Sequence, residues 1–428
     1  MSHKPIQSTA KPGAKVALVP RLRFPAFRRA SEWREYAGSD LFDQVNDRNG
    51  DAGLPILAIT QEQGAIPREL IDYHVSVTEK SIESYKVVNA GDFIISLRSF
   101  QGGIEYSQYR GVCSPAYVIL RRSIEGNDAY FKHYLKTDKF IQLLTKNLEG
   151  LRDGKMISYK QFSELRLPVP SVPEQQKIAD CLSSLDELIA AQARKVDALK
   201  TYKKGLMRQL FPREGETQPR LRFPEFRNVG EWEKVSLKEV FSIFQGFAFS
   251  SNDSVDDGVR WLKIADVGIQ QMNHGAPSYL PVQFKKQFDK FSVSKGDYVI
   301  ALTRPILSGQ LKIAQVDQIF AGALLNQRVG KLATSHHITF IYFLLQRQQT
   351  VIDIEKCISG AEPPNLSAQQ IENIKILLPS QPEQQRIADC LTSLDNFITA
   401  TAQELESLKV HKKGLTQQLF PSAEAVEA

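Results

Sequence analysis

The segment Val172–Pro212, VPEQQKIADCLSSLDELIAAQARKVDALKTYKKGLMRQLFP, decides the fold, because its apolar residues follow the 4-3 spacing of a coiled-coil seam. The segment recurs as Gln381–Pro421, QPEQQRIADCLTSLDNFITATAQELESLKVHKKGLTQQLFP, with its apolar residues in the same register. Each copy predicts one long helix, and the part from Ile178 to Leu210 alone would extend over roughly 50 Å. The chain is therefore a tandem duplication with a long helix at the end of each half.

The two seams match position by position. The first comprises Ile178, Leu182, Leu185, Ile189, Val196, Leu199, Leu206 and Leu210, and the second comprises Ile387, Leu391, Leu394, Ile398, Leu405, Leu408, Leu415 and Leu419. Polar residues interrupt both seams at the same two places, namely Gln192 and Lys203 in the first, and Thr401 and Lys412 in the second. Such residues either restrict register and partner choice or are tolerated near an exposed helix end.

Signals at the helix ends support these boundaries. Ser171 with Glu174, and Ser380 with Glu383, have the spacing of a capping box, and a proline follows each helix. Lysines and an arginine near the C-terminal ends either compensate the helix dipole or contact a partner subunit. They are Lys200, Lys203, Lys204 and Arg208 in the first copy, and Lys409, Lys412 and Lys413 in the second.

A second repeated phrase opens each half. PRLRFPAFRRASEW (Pro20–Trp33) reappears as PRLRFPEFRNVGEW (Pro219–Trp232). Its aromatic residues would anchor each domain to the helices, or would form a stacking platform if the protein bound single strands. They are Phe24, Phe27, Trp33, Phe223, Phe226 and Trp232.

The segments between the repeated phrases have diverged, but they share a pattern. AGDFIISLR (Ala90–Arg98) and KGDYVIALT (Lys295–Thr303) each predict a Gly-Asp turn followed by a strand. Tyr130–Leu144 and Ile338–Ile352 each read as a helix, and short strand-like runs such as Ala116–Leu120 lie between turn residues. Each middle segment is therefore predicted to be an α+β domain of about 150 residues.

The repeats set the predicted boundaries. They are a disordered leader at 1–19, a first domain at 20–166, a first spacer helix at 167–212, a linker at 213–218, a second domain at 219–376, a second spacer helix at 377–421 and a tail at 422–428.

Composition excludes several classes of protein. The chain has 428 residues, is 42% hydrophobic and 24% charged, and carries a net charge of +6, which suits a polyanion partner without requiring one. The sequence shows no apolar run of membrane-spanning length and no secretory signal, so we expect a cytoplasmic protein. It also shows no phosphate-binding glycine loop, no clustered metal-ligand spacing and no catalytic motif, so we expect no catalytic residue, no metal and no cofactor in this chain.

These features together resemble a known family. The LRFPxF…EW phrases, the GDFIISLR block, SPAYVIL (Ser114–Leu120), PEQQKIADCLSSLD and KKGLMRQLFP are similar to the specificity subunit of type I restriction-modification enzymes. The resemblance extends from about Pro20 to Pro421. It implies two target recognition domains of α/β type, separated by two long helices that pack as an antiparallel coiled coil.

The family also implies a function and partners. Each domain would read one half of a split, asymmetric sequence in double-stranded DNA, and the helices would act as a ruler. The subunit would recruit two methyltransferase subunits and two restriction (translocase) subunits, and it would not be catalytic itself. The helix positions assigned to spacing and partner contact are Ile178, Leu182, Leu185, Ile189, Leu199 and Lys203, with Ile387, Leu391, Leu394, Ile398, Leu408 and Lys412.

Candidate base-reading and phosphate-binding residues were chosen by residue type in turn-rich segments, because Arg and Gln can pair bidentately with guanine and adenine edges. In the first domain they are Arg98, Gln101 and Arg110, with Arg152 and Lys155 as phosphate contacts; in the second they are Arg304, Gln310, Lys312, Gln327 and Arg328. For each of them the alternative is an ordinary solvated side chain.

Two rival classes of function stay open at this point. A self-contained nuclease or methyltransferase would need a catalytic motif. A scaffold that does not bind DNA could use the coiled coil to space two protein-binding modules, and its interactions need not weaken with salt as phosphate contacts do.

Overall fold

The structure is a computed structural model, and it describes residues 18–48, 53–71, 84–146, 157–358 and 363–421. The predicted leader up to residue 17, the predicted tail at 422–428, and the candidates Arg152 and Lys155 lie outside these ranges. The chain divides into two compact units. The first unit comprises residues 1–193 and 403–428, and the second comprises residues 194–402.

The first unit contains the first α+β domain. Its elements are β1 (Arg34–Ala37), α1 (Gly38–Leu41), β2 (Phe42–Val45), β3 (Leu57–Thr60), β4 (Gly64–Pro67), β5 (Lys86–Val88), β6 (Phe93–Ile95), α2 (Ser99–Gly102), β7 (Glu105–Tyr106), β8 (Gly111–Cys113), β9 (Val118–Arg122), α3 (Asp128–Tyr134), α4 (Asp138–Thr145), α5 (Tyr159–Ser163) and β10 (Arg166–Val169). The long helix α6 (Val172–Leu210) follows and continues into the second unit.

The second unit contains the second domain. Its elements are β11 (Glu233–Ser236), α7 (Leu237–Val240), β12 (Ser242–Gln245), β13 (Val259–Leu262), β14 (Tyr279–Leu280), α8 (Phe284–Gln287), β15 (Tyr298–Ala301), β16 (Ile306–Leu307), β17 (Gln310–Leu311), β18 (Ile313–Gln315), β19 (Leu324–Leu325), β20 (Val329–Ala333), α9 (Ile338–Leu345), α10 (Gln348–Ile358), α11 (Ala368–Ile371) and β21 (Lys375–Leu378). The second long helix, α12 (Gln381–Leu419), begins in this unit and ends in the first.

Both domains share a central four-stranded sheet of the same topology, whereas their smaller sheets differ. The four-stranded sheet has the order β2-β9-β6-β7 in the first unit and β12-β20-β15-β18 in the second, and each unit adds a two-stranded sheet, β1-β10 or β11-β21. Gly91 and Gly296 take the positive φ that their turns require, at +96° and +95°. The predicted Gly-Asp turns and their strands, β6 and β15, are therefore confirmed, and the domains repeat the fold although their sequences have diverged.

The predicted helix at Tyr130–Leu144 is wrong as a single element, because the structure divides it into α3 and α4. The Thr137 side chain accepts a hydrogen bond from the Phe140 backbone and caps α4. Ile338–Ile352 is divided in the same way into α9 and α10. The apolar pattern continues across both breaks, so periodicity alone did not reveal them.

The long helices form antiparallel pairs within each unit. In the first unit Asp186 of α6 contacts Lys412 of α12, and further along α6 Gln192 bonds Glu404, which precedes Lys412 in α12. In the second unit Lys203 contacts Asp395, and Leu210 shares a core with Ile387. Every predicted seam position is buried or half-buried, including the four polar ones. The predicted seams and their antiparallel packing are thus confirmed.

A buried ion pair joins the start of each long helix to the repeated opening phrase. Arg23 donates to both carboxylate oxygens of Glu174 at 2.7 Å, and Arg222 donates to both oxygens of Glu383 at 2.8 and 2.7 Å. The prediction that the two glutamates complete capping boxes is wrong, because both oxygens of each carboxylate bond an arginine instead. A negative charge in the first helical turn also complements the helix dipole.

The tryptophans of the opening phrases anchor the domains, as predicted. Trp33 packs edge-on against Tyr130 and Phe420, and Trp232 packs against Phe211 and Phe340. Both tryptophans are almost fully buried, so neither offers a face for base stacking.

The strands β10 and β21 extend into the ranges predicted for the spacers. The helices begin at Val172 and Gln381, whereas Leu167–Val169 and residues 377–378 belong to strands that pair with β1 and β11. The repeated phrases begin beyond these strands, so they did not mark where each sheet ends.

Candidate nucleic-acid interface

In the first unit Arg98 and Gln101 follow the C-terminal end of β6, at one end of the four-stranded sheet. We call this end of the strands the sheet edge. Ser99 Oγ accepts from the Ser96 backbone at 2.9 Å, and this turn leads into the short helix α2. Both candidate side chains are exposed. The turn therefore presents a guanidinium and an amide to solvent from a rigid support, as base reading requires.

A buried ion pair supports this turn from behind. Lys136 Nζ contacts Glu105 at 2.5 Å and donates to the carbonyls of Gln61 at 3.2 Å and Gly102 at 3.0 Å. Burial raises the pKa of Glu105 and lowers that of Lys136, and the attraction between the two charges opposes both shifts. The pair thus ties the tip of the β3-β4 hairpin to α2, next to Gln101.

Gly103 allows α2 to pack closely on the end of α3. Its φ is +78°, and a Cβ there would lie 2.2 Å from the Leu135 carbonyl oxygen. Arg110, the third candidate of this domain, is exposed but lies in the separate turn between β7 and β8. The structure therefore groups Arg98 with Gln101 and places Arg110 apart.

The corresponding edge of the second domain brings its candidates together more completely. The Leu302 backbone bonds the Arg328 carbonyl at 2.9 Å, and the Ala301 backbone bonds the Lys312 carbonyl at 3.0 Å. Arg304 follows two residues later, and its own amide bonds Pro364 at 2.8 Å. Arg304, Lys312 and Arg328 thus lie where β15, β18 and β20 meet.

Not all of these side chains are equally open to a ligand. Arg304, Gln327 and Arg328 are exposed, whereas Lys312 is half-buried and donates to the Ile264 carbonyl at 3.3 Å. Burial lowers the pKa of Lys312. Gln310 lies on the neighbouring β16-β17 hairpin and is exposed.

Backbone strain concentrates at the same place. Among the described residues, those other than glycine with positive φ are Gln270 (+62°), Arg304 (+47°) and Ser308 (+50°), and all three belong to the second domain. Ser308 forms the tip of the β16-β17 hairpin, and the Gln270 backbone bonds the Ile313 carbonyl at 2.9 Å. Strain of this kind is often retained at functional sites.

Sequence reasoning missed the arginine–glutamate joints and two hairpins that bear amide side chains. The joints had a usable signal, because Arg23 and Glu174 both recur in the second copy as Arg222 and Glu383. No sequence signal marks the two hairpins, because the residues beside them in the fold are distant in sequence. One hairpin carries Gln61 and Gln63, and the other carries Gln270 and Gln271.

The two seam lysines, Lys203 (buried) and Lys412 (half-buried), have definite partners. Lys203 lies 2.6 Å from Asp395 and 5.3 Å from the ring centre of Phe343, and Lys412 pairs with Asp186. Their contacts favour register selection over tolerance at a frayed end.

Among the residues that the structure describes, no helix combines the length and the apolar character of a membrane span.

Two like domains, each with basic and amide side chains at the corresponding end of its sheet and each packed on the long helices, have the arrangement expected of a DNA-recognition protein with two reading modules. The family model described as the type I restriction modification DNA specificity domain matches residues 39–201 and 229–410. The chain belongs to this family of DNA specificity subunits of type I restriction-modification systems.

Curated relatives agree with this assignment. The type I restriction enzyme MjaVIII specificity subunit of Methanocaldococcus jannaschii is 30% identical over 352 residues, which is 81% of each chain. The putative MjaX specificity subunit of the same organism is 25% identical over 386 residues, 86% of each chain.

Solved structures share the fold. The S subunit from M. genitalium aligns with a TM-score of 0.55 at 16% identity, over 95% of this chain and all of that one. A chain from a study of complex assembly in the type I R-M system aligns with a TM-score of 0.54 at 17% identity, over 92% of this chain and 98% of that one.

Family membership decides between the open classes of function. The chain is the DNA-recognition subunit of a restriction-modification complex, and its partners are DNA and other subunits of that complex. It is neither a self-contained enzyme nor a scaffold without DNA.

Proposed function

We propose that each domain reads one half of a bipartite, asymmetric target in double-stranded DNA. The observation that carries this proposal is the combination of one framework with two different sets of loops. The four-stranded sheets have the same strand order in both units, but Arg98 and Gln101 occupy the edge in the first, whereas Arg304 and Arg328 occupy it in the second. Different side chains on one scaffold select different bases.

The duplication supports a proposal for the stoichiometry of the complex. Because the joint of Arg23 with Glu174 recurs as Arg222 with Glu383, a partner that recognises one helix start would find a second equivalent surface. We therefore propose two methyltransferase subunits per chain and, for cleavage, two restriction (translocase) subunits. We assign no cofactor to this chain and place the complex in the cytoplasm.

Methylome mapping tests the proposal directly. The chain is co-expressed with its methyltransferase subunit in cells that lack adenine methylation, and methylated adenines are mapped by single-molecule sequencing. We expect one split motif whose two halves differ. A continuous or palindromic motif would contradict the reading of two different half-sites, and a stable complex that leaves no motif would contradict sequence recognition itself.

A further inference from the structure

An open cleft lies beside each domain, and both clefts are built in the same way. In the second unit the cleft has a volume of about 970 Å³ and is lined by Lys200, Lys204 and Arg208 of α6 on one side. In the first unit a cleft of about 1320 Å³ is lined by Lys409 and Lys413 of α12. These lysines are counterparts in the two repeats and are all exposed.

The opposite wall of each cleft comes from the diverged domain. In the second unit it includes Gln270, Ser308 and Gln310, and in the first it includes Gln61, Gln63 and Gln108, with the carboxylates of Glu62 and Asp138 beside them. Every one of these side chains is exposed. One wall is therefore constant between the two clefts, and the other differs.

The amide side chains stand on well-anchored hairpins. Val267 and Met272 are buried and bridge each other, and the Gly268 amide bonds the Gln271 carbonyl at 3.0 Å, which leaves Gln270 and Gln271 at an exposed tip. In the first unit Gln61 Nε2 donates to the Arg98 carbonyl at 3.3 Å. The amides therefore lie next to the sheet edge that carries the candidate base-reading residues.

This division of the walls matches the chemistry of DNA. Phosphates are the same at every position and are held by Lys and Arg, whereas base edges vary and are read by groups such as Gln amides. A protein partner present in two identical copies would instead meet two like walls in both clefts. The constant cationic wall and the variable amide wall therefore favour DNA as the occupant.

We propose that each cleft seats one half-site of the target, with the exposed lysines of the long helix binding phosphates and the hairpin amides reading bases. This inference rests on the proposed function and extends the DNA contact from the sheet edge onto α6 and α12. Lys203 and Lys412 are excluded from phosphate binding, because each lies in the helix seam and pairs there with an aspartate of the other long helix. Lys409 and Lys413 also have carboxylate neighbours, Glu406 at 2.7 Å and Asp138 at 3.9 Å, but both of these pairs are exposed, so their contribution is small and phosphate can compete for the lysines.

The phosphate contacts are tested by salt dependence. The complex of the full chain with its methyltransferase subunit is titrated with its methylated motif sequence and with random DNA, at several salt concentrations. We expect K200Q/K204Q to weaken both interactions by roughly ten- to thirtyfold and to reduce the slope of log K against log salt by about two. K409Q/K413Q should reduce the slope similarly.

The control is K234Q/K238Q, which removes two exposed lysines of the same unit that do not line the cleft. It should leave the slope close to the wild-type value. A cleft variant that keeps the wild-type slope overturns the proposal. Loss of methyltransferase binding with an unchanged slope overturns it too and identifies the cleft as a protein-docking surface.

The amide wall is tested by sequence preference. Q270A and Q310A should each weaken binding to the specific target by roughly 5- to 150-fold, leave random DNA unaffected, and relax only the motif half that the second domain reads. Q283A, an exposed amide outside the cleft, is the control. An unchanged motif in both cleft variants overturns the reading role, even when the wild-type complex yields a split motif and the proposed function stands.

Discussion

At the scale of single residues, equivalent positions of the two halves place different side chains beside the matching seam lysine. In the second unit Phe343 packs against Lys203 beside Asp395, whereas in the first unit His133 occupies the corresponding place beside Lys412 and Asp186. His133 is 6% exposed, and its Nε2 lies 3.2 Å from Ser183 Oγ. Burial and, to a lesser extent, the positive charge of Lys412 lower the pKa of His133 from 6.5 to about 4. The negative charge of Asp186 acts in the opposite direction and is already included in this value.

His133 should therefore make the first unit sensitive to acid. Between pH 6.5 and about 4 the unfolded chain binds a proton that the folded chain does not, so the free energy of unfolding falls as pH falls, by up to about 1.4 kcal/mol per unit. H133F, which copies the second unit, should remove this dependence. Urea unfolding of both proteins at pH 7.5 and pH 5 measures it, and parallel losses in the two proteins would refute the assignment.

At the scale of elements, the helix pairs depend on apolar seams with one lysine–aspartate ion pair in each unit. Lys203 is 9% exposed in its side chain and Asp395 is 33% exposed, whereas Lys412 and Asp186 are more open at 26% and 38%. Removing one partner of a buried pair leaves an uncompensated charge, while exposed pairs contribute little. The two pairs should therefore differ in their cost of disruption.

D395N should destabilise the protein by roughly 2–3 kcal/mol, and D186N by about 1 kcal/mol, because Lys203 is the more deeply buried amine. Chemical unfolding at pH 7.5, where His133 is neutral, provides the comparison. Equal losses in the two variants would show that burial of the lysine does not set the cost. The double variant K203M/D395L should recover most of the stability lost in D395N, because it leaves no buried charge.

The periodic elements were predictable from sequence because their signal repeats over many turns. The seam from Ile178 to Leu210 recurs in full in the second copy, and the structure buries it as expected. Glu174 was misassigned because its true partner, Arg23, lies 151 residues away, and local spacing contains no information on such a contact. The cap by Thr137 went unnoticed since the apolar pattern of α3 continues into α4.

The candidate site was predictable only in part. Arg98, Arg304 and Arg328 were nominated by residue type in turn-rich segments, and the structure places Arg98 at the end of the four-stranded sheet of the first unit and the other two at the corresponding end in the second. Their role as base readers stays a prediction. Gln270 and Gln61 were missed because hairpins from distant segments of the chain bring them to the clefts. Residue type can nominate a reader, but its position relative to the helices depends on tertiary structure.

At the scale of the whole molecule, each unit joins a domain to one end of each long helix. Leu210 and Phe211 belong to the core of the second unit, and Leu419 and Phe420 belong to the core of the first. Each domain is thus attached through residues that both halves share, while its reading loops differ. Domains of this family should consequently be exchangeable as modules.

Replacing residues 20–166 with the corresponding domain of another family member should change one half of the methylated motif and leave the other half intact. The physical reason is that the Trp33 and Glu174 contacts are made by the repeated phrases, so that the joint survives the exchange. Single-molecule sequencing of the methylated genome gives the result. A change in both halves would contradict independent reading.

The first unit is assembled from both ends of the chain, since its core includes Trp33 together with Leu419 and Phe420. A ribosome makes every residue of the second unit before it reaches residue 403, where the last segment of the first unit begins. The domain that is synthesised first is therefore the last to be completed. Until Phe420 has been synthesised, the apolar face that it will cover stays open to water, and the nascent chain exposes it to chaperones during that interval.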